Sequence, residues 1–321
     1  DIVCSLKVIY HNYMSVYTNL TTEDLNKILK RYDIGNSRSF VGISDGITNT
    51  NFYLTTSKGE YIITIFEDIG KTKVKKYLEL MSFFSNCGLC SPEIQRTNNS
   101  EYLSFYKNKP LAIMQKLQGK TVKSSNNKLC DSLGNIVSKF HNESINYKKK
   151  ISNSRDIKWV DKSINKISNH ITNEQRKMLN KARNIFKRFF DYKLPSGVIH
   201  SDLFMDNVLA SNTRVLGIID YYYSFNGPFI YELAVIINDW CTKKDGSIDY
   251  DKYSKFMSSY NSTRSLSEKE IKYLNNALVS AALRFYLSRL VDMIFPKVGE
   301  ITHIKDPSIF EKILSNRLNL V

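Results

Sequence analysis

The sequence predicts an α+β protein of two lobes, the first mainly antiparallel β-structure and the second mainly helices with one β-hairpin among them. Three observations carry this expectation. The stretch FVGISDGITNTNFYLTTSKGEYIITIFE, 40 to 67, has strand-like runs at Phe52, Leu54 and Tyr61–Phe66, with a turn at Ser57-Lys58-Gly59. Beyond about 133, apolar residues recur mostly at helical spacing. Two short apolar runs, Val208-Leu209-Ala210 and Val215-Leu216-Gly217-Ile218-Ile219, flank Ser211-Asn212-Thr213-Arg214 and read as a hairpin.

Each element has its own signal. Thr21 or Thr22 caps a first helix whose apolar face is Leu25, Ile28 and Leu29, and Gly35 ends it. The β-meander follows, and its first loop, 42–51, is rich in Gly, Ser, Thr and Asn. A helix is predicted over 71–86, closed by Gly88 with Pro92 beyond. Strands are predicted at Glu93–Gln95, Tyr102–Phe105 and Leu111–Met114, the last leading into QKLQGK as a connector. Leu133, Ile136, Val137 and Phe140 mark a helix ending near His141. Residues 142–170 are polar and carry no clear pattern, and helices are then predicted over 173–191, 229–241, 249–260, 267–293 and 307–316. The lobes divide as 14–117 and 118–321, with 1–13 an upstream extension that makes a poor signal peptide.

Of the 321 residues, 42% are hydrophobic and 24% charged, which suits a globular protein with substantial cores. No apolar run is long enough for a membrane span, and no membrane partner is expected. The formal net charge of +15 is spread over scattered lysines, with Lys148-Lys149-Lys150 the only tight run, so no nucleic-acid partner is expected either. Five irregularly spaced cysteines argue against a disulfide framework and for a reducing, cytoplasmic setting. Cys87 and Cys90 have redox or zinc spacing, but no second pair or nearby His completes a metal site, and both read as packing residues.

The hairpin concentrates the chemistry. His200, Asp202, Asp206, Asn207 and Asp220 all lie at its outer ends. In an antiparallel hairpin the entry of one strand meets the exit of the other, so Asn207 and Asp220 would lie side by side, with Asp202 in the loop leading in. Two carboxylates and an amide oxygen suit Mg²⁺, which takes few protein ligands and completes its shell with phosphate and water. A loop Asp could then orient an attacking hydroxyl and accept its proton. H-x-D-x₄-N followed by I-I-D is also the spacing of the catalytic loop and metal-binding Asp in kinase-like folds.

HSDLFMDNVL, IIDYY and YELAVIINDWC together resemble homoserine kinases of the aminoglycoside phosphotransferase-like type. MSVYTNLTTEDLNKILKRYDIG, GISDGITNTNF, YIITIFE and ALRFYLSRLVDMIFP are similar too, so the resemblance runs from about Met14 to Pro296. It implies a bilobal protein-kinase-like fold and ATP-dependent phosphorylation of L-homoserine to O-phospho-L-homoserine, a step of threonine biosynthesis, with Mg²⁺. By motif, Asp202 would be the catalytic base, Asn207 and Asp220 would hold the metal, and His200 would brace the loop. The loop 42–51, with Ser44, Gly46, Asn49 and Asn51, would cover the phosphates, and Met114 and Leu117 of the connector would meet the adenine. Arg284, favoured over Arg289 because five residues turn a helix by about 140°, would fork the substrate carboxylate. Asn238 and Asp239 would meet its ammonium, unless Asp239 and Trp240 form a packed corner instead.

The chain departs from the kinase pattern at three places. Thr64 stands where kinase-like folds place a phosphate-gripping Lys, which leaves Glu79 as a surface residue, although the homoserine-kinase branch is similar at that position. Ser201 stands where a smaller residue is frequent. Glu232 stands for an Asp that hydrogen-bonds the catalytic-loop backbone. The alternatives to a homoserine kinase are another small-molecule kinase of this fold, acting on an amino-alcohol or aminoglycoside, or a non-catalytic nucleotide-binding relative. Oligomeric state has no signal in the sequence.

Overall fold

A computed structural model describes residues 18–43, 49–296 and 305–321. The expected extension and the loop residues Ser44 and Gly46 lie outside the described residues. The chain forms two compact units. Of the described residues, the first takes 18–43, 49–70 and 95–113, and the second takes 71–94, 114–296 and 305–321. The helix after the meander therefore belongs with the second unit by its contacts, where a single cut at 117 had been drawn.

In the first unit, helix α1 (Thr22–Leu29) starts at Thr21, whose side chain accepts the Asp24 N–H at 3.1 Å. Strands β1 (Ser37–Ile43), β2 (Asn49–Thr56) and β3 (Glu60–Phe66) form the expected meander. After α2 (Lys71–Asn86), β4 (Ser104–Tyr106) and β5 (Lys109–Gln115) complete one sheet in the order β1-β2-β3-β5-β4. Its inner face packs Leu54, Ile63, Ile65, Leu111 and Ile113 against Leu25 and Ile28 of α1. Burial of such apolar surface is worth about 25 cal/mol per Å² and holds this unit together. The predicted strand at Glu93–Gln95 reduces to a single bridge, Ile94 to Met114.

In the second unit, β6 (Lys120–Thr121) follows the connector and joins β8 (Val208–Ala210) and β9 (Val215–Ile218) as a three-stranded sheet. Gly119 allows the close approach, since it holds φ 102° and a Cβ there would lie 2.9 Å from the Ala210 N, while Leu117 lies over Gly217. Helices α3 (Asn127–Ser144), α4 (Ile157–Ile167) and α5 (Asn173–Asp191) precede β7 (Ser196–Ile199), which pairs with β10 (Phe225–Pro228). Helices α6 (Phe229–Trp240), α7 (Tyr250–Thr263), α8 (Glu268–Ile294) and α9 (Pro307–Leu318) close the unit. Within 142–170, left without an element above, α4 begins at Asp156, whose carboxylate accepts the Trp159 N–H at 3.1 Å. Helix α8 opens with a reciprocal Ser267–Glu270 capping box and is buried almost all round from Ala277 to Leu287. Among the described residues, no helix is long and apolar enough to cross a membrane.

Candidate active site

The hairpin pairs antiparallel, with Val208 opposite Ile218 and Leu209 opposite Gly217. The Ile219 N–H donates to the Asn207 carbonyl at 3.0 Å, so Asn207 lies opposite Ile219 and Asp220 sits one residue further on. Asp220 takes a left-handed conformation, φ 68°, which turns the chain into Tyr221–Tyr223. Short polar residues tolerate that region better than bulky ones.

Asp202 is clasped from two sides. Arg284 on α8 donates through NH1 to its Oδ1 at 3.1 Å and to the Ser201 carbonyl at 2.8 Å. Asn207 donates through Nδ2 to the Asp202 carbonyl at 2.7 Å and to its Oδ2 at 3.1 Å. The amide oxygen of Asn207 is the atom this arrangement leaves for a cation. Asp220 stands in contrast. Its Oδ1 is buried with no hydrogen-bond partner among the described residues. Burial, followed by the charges of Asp202 and Asp206, pushes its carboxyl up to about 7. A buried carboxylate oxygen without a donor costs several kcal/mol unless a cation meets it, so this site fits a divalent metal held by Asp220 and Asn207. No cluster of three His, Cys, Asp or Glu residues suited to a metal occurs among the described residues, which agrees with an ion drawing its other ligands from phosphate and water.

The loop is braced from beneath. Glu232 on α6 accepts the His200 N–H through Oε2 at 2.8 Å and the Ser201 N–H through Oε1 at 2.7 Å. Burial pushes Glu232 up, but the hydrogen bond and charge of His141 and the donors at His200 outweigh it and hold the carboxyl below its usual range. His141, on α3, bonds Glu232 Oε2 through Nε2 at 3.3 Å and the Tyr260 hydroxyl through Nδ1 at 2.8 Å. His200 Nε2 meets the Ile219 carbonyl at 2.9 Å, and its Nδ1 accepts the Asp202 N–H at 3.3 Å. A carbonyl can only accept, so the proton sits on Nε2. Burial keeps both imidazoles less basic than usual. Ser201 holds φ 63°, and its hydroxyl donates to the Tyr223 carbonyl at 2.7 Å. The left-handed φ explains why a smaller residue suits this position.

NDWC now divides by role. Asn238, expected to meet a substrate ammonium, is buried: its Nδ2 donates to the Leu278 carbonyl at 2.9 Å and its Oδ1 accepts Arg317 Nε at 3.0 Å. Both ends of the amide are spent inside the helical core, which removes it from the substrate set. Asp239 Oδ2 accepts the Met205 N–H at 2.8 Å, and Trp240 Nε1 donates to the Leu203 carbonyl at 3.0 Å. The two therefore form the packed corner that carries the catalytic loop. Burial pushes Asp239 up to about 7 despite the Met205 donor. Cys241 is buried beside Cys130.

Arg284, expected as the carboxylate fork, is 4% exposed in its side chain and holds Ser201 and Asp202 through a single terminal nitrogen. Arg289 reaches the same neighbourhood. It donates to the Asp306 carbonyl at 3.2 Å, lies 6.0 Å from the Phe204 ring, and feels Asp239, Asp206 and Asp202. A turn of about 140° between the two arginines does not exclude Arg289, which feels the charge of Asp202 as well. Of the three tyrosines, Tyr221 packs on Phe84, Phe140 and His200. Tyr222 meets Tyr77, and Tyr223 lies 5.0 Å from Arg284 and 5.3 Å from Arg155.

In the first unit, Thr64 donates to Asn51 Oδ1 at 2.8 Å across the β2–β3 pair, so both side chains are held by each other. Asn49 is buried, and its Oδ1 has no hydrogen-bond partner among the described residues. In the second unit, Met114 is buried at the end of β5, and Leu117 covers Gly217. Glu79 is not a free surface residue: it pairs with Lys149 at 2.8 Å with 17% of its side chain exposed. Reading the sequence alone missed His141 and Arg155, neither of which had a signal, while the packed corner of Asp239 and Trp240 was one of its two readings.

A sheet-based unit, and a helical unit whose hairpin carries this Asp, Asn and Asp set, define a phosphotransferase of kinase-like class. Residues 39–253 match the family described as "Phosphotransferase enzyme family". A homoserine kinase of Methylobacillus flagellatus is 36% identical, covering 95% of this chain and 96% of its own length. A homoserine kinase of Neisseria meningitidis serogroup B is 33% identical, covering 94% and 99%. Among solved structures, the amicoumacin kinase hAmiN in complex with AMP-PNP and Ca²⁺ superposes with a TM-score of 0.71 at 13% identity, covering 94% of each chain. A microcompartment-associated aminopropanol kinase gives 0.64 at 13% identity, covering 92% of this chain and 94% of its own. The chain belongs to the homoserine kinases of the phosphotransferase enzyme family.

Proposed function

We propose that the protein transfers the γ-phosphoryl group of Mg²⁺-ATP to the hydroxyl of L-homoserine, giving O-phospho-L-homoserine for threonine biosynthesis. The observation that carries this reading is the asymmetric treatment of two carboxylates at one hairpin end. Asp202 is oriented by Arg284 and Asn207, while Asp220 keeps a buried oxygen without a donor. Asp202 takes the proton of the acceptor hydroxyl and aligns it for attack. Asn207 and Asp220 hold Mg²⁺, which offsets the charge on the phosphate oxygens. Glu232 and His200 fix the loop backbone, so the base loses little entropy in reaching its geometry. The loop 42–51, with Ser44, Gly46, Asn49 and Asn51, and Thr64 beside it, covers the phosphates. Met114 and Leu117 line the adenine site.

The test is a coupled ADP-release assay with Mg²⁺-ATP and L-homoserine, L-serine, L-threonine, choline or kanamycin as acceptor, with an acceptor-free control. ADP release with L-homoserine alone is expected. Turnover with another acceptor only would remove the substrate and keep the chemistry. ATP binding without turnover on any of them would remove catalysis.

A further inference from the structure

The substrate carboxylate needs a cationic partner, and the charge of Arg284 is already set against Asp202, which it meets through the same nitrogen that donates to the Ser201 carbonyl. The charge of Arg289 is already matched by Asp239, Asp206 and Asp306. A third guanidinium lies close by. Arg155, at the start of α4, sits with its Cζ 4.7 Å from the Trp159 ring and 5.3 Å from the Tyr223 ring, while Arg284 lies 5.0 Å from the same Tyr223. Two ring contacts therefore link Arg155 to the guanidinium that grips the catalytic base.

Arg155 lacks an anion. Its Nε is buried without a hydrogen-bond partner, and no carboxylate pairs with it among the described residues. The adjoining Asp156 caps α4 through Oδ1 and forms no ion pair with Arg155. A charge of the same sign also lies within reach: Lys73, whose ammonium is made less basic by desolvation and then by Arg155. Lys73 belongs to the first turn of α2, which carries Lys71 and Lys73 and no acidic residue. Cations at a helix N-terminus oppose its dipole, and two neighbouring cations repel. Such an arrangement is stabilised by an anion shared between them. A planar guanidinium with unused donors matches a carboxylate in two parallel hydrogen bonds, and its aromatic contacts fix the plane of the fork.

We infer that Arg155, supported by Lys73, receives the carboxylate of the acceptor amino acid and thereby sets specificity for an amino acid over the corresponding amino-alcohol. This rests on the homoserine reading above. The anion is the acceptor's, because Tyr223 joins Arg155 to the side of the loop where Arg284 holds Asp202, and the acceptor hydroxyl must lie at Asp202.

The test compares wild type with Arg155→Met, Arg155→Lys and Lys73→Met. The ligands are L-homoserine and 3-aminopropan-1-ol, its counterpart without the carboxylate. The latter is followed as acceptor or, where it turns over too slowly, as a competitive inhibitor against L-homoserine. Arg155→Met is expected to lower kcat/KM for L-homoserine roughly 100-fold, the scale for removing one partner of a desolvated charged pair. The change should fall mainly in KM, with 3-aminopropan-1-ol and the KM for ATP unaffected. Arg155→Lys should recover part of the loss and Lys73→Met should show a smaller one. Equal losses on both ligands would make Arg155 a structural residue and overturn the inference. A raised KM for ATP would assign the anion to the nucleotide and overturn it as well. Wild-type enzyme inactive on L-homoserine would remove the homoserine reading itself, and this inference with it.

Discussion

The loop before the hairpin and the turn after it each present a carboxylate, and the fold treats them in opposite ways. Asp202, on the loop, is met by a guanidinium and an amide. Asp220, on the turn, is taken out of water and given no donor at Oδ1. The neighbouring Asp239 resembles Asp220, with one backbone donor at Oδ2 and a carboxyl pushed up to about 7. On the proposed reading, paired and unpaired carboxylates at one hairpin end divide the labour: the first would be oriented to work as a base, and the second would be kept ready for a cation. Removing each should therefore give a different signature, in rate, in metal dependence and in stability.

The largest effect is expected at Asp202. Asp202→Asn should lower kcat by about a thousandfold, within the range for a general base, with ATP affinity retained in a calorimetric titration. Loss of nucleotide binding together with turnover would place Asp202 in the binding site and end the contrast. Asp220→Asn should act through the metal. The Mg²⁺-dependent part of ATP affinity should fall at least about 100-fold, since even residues behind a metal ligand cost up to that much. The same substitution should raise the stability of the ligand-free protein by about 1–2 kcal/mol, because it removes an uncompensated buried acid. Thermal melts with and without Mg²⁺-ATP would read both signs at once. A destabilised free protein would mean that Asp220 has a partner that its environment does not reveal.

The hairpin end was legible because its information is local. His200, Asp202 and Asn207 lie within eight residues, and Asp220 follows one short turn later, so spacing alone brings them together. The α2 and α5 boundaries were legible for the same reason, from periodicity over one helix. What holds the loop was not legible. Arg284 reaches Asp202 across 82 residues, and His141 reaches Glu232 across 91. Nothing in the periodicity of α8 says which arginine touches the loop, since its middle is buried all round and has little polar face. Asn238 was misplaced because a polar residue next to Asp239 looks equally suited to a ligand or to a core contact. Only Leu278 and Arg317, brought in by α8 and α9, decide between them. Helix α4 was legible but overlooked: Ile157, Val160, Ile164 and Ile167 recur at helical spacing behind the Asp156 cap, and the Lys- and Asn-rich residues around them obscured the pattern.

The smallest effect should appear at Asp239, as a pH slope. An acid whose folded pKa is raised binds its proton more tightly in the folded state than in the unfolded state. Its burial costs nothing while both states are protonated. The cost grows as pH rises from near 4, where the unfolded carboxyl ionises, and is complete above about 7, the folded value. At 1.36 kcal/mol per unit the full shift is an upper limit, and partial contact with water brings it to the order of 2 kcal/mol. Asp239→Asn keeps an oxygen for the Met205 N–H and loses the ionisation. The variant should match wild type in denaturant unfolding near pH 4 and become the more stable protein at pH 8, both free of ligand. Equal slopes for the two proteins would mean that Arg289 and Lys305 already neutralise Asp239, and that the poorly paired class at this hairpin end contains Asp220 alone.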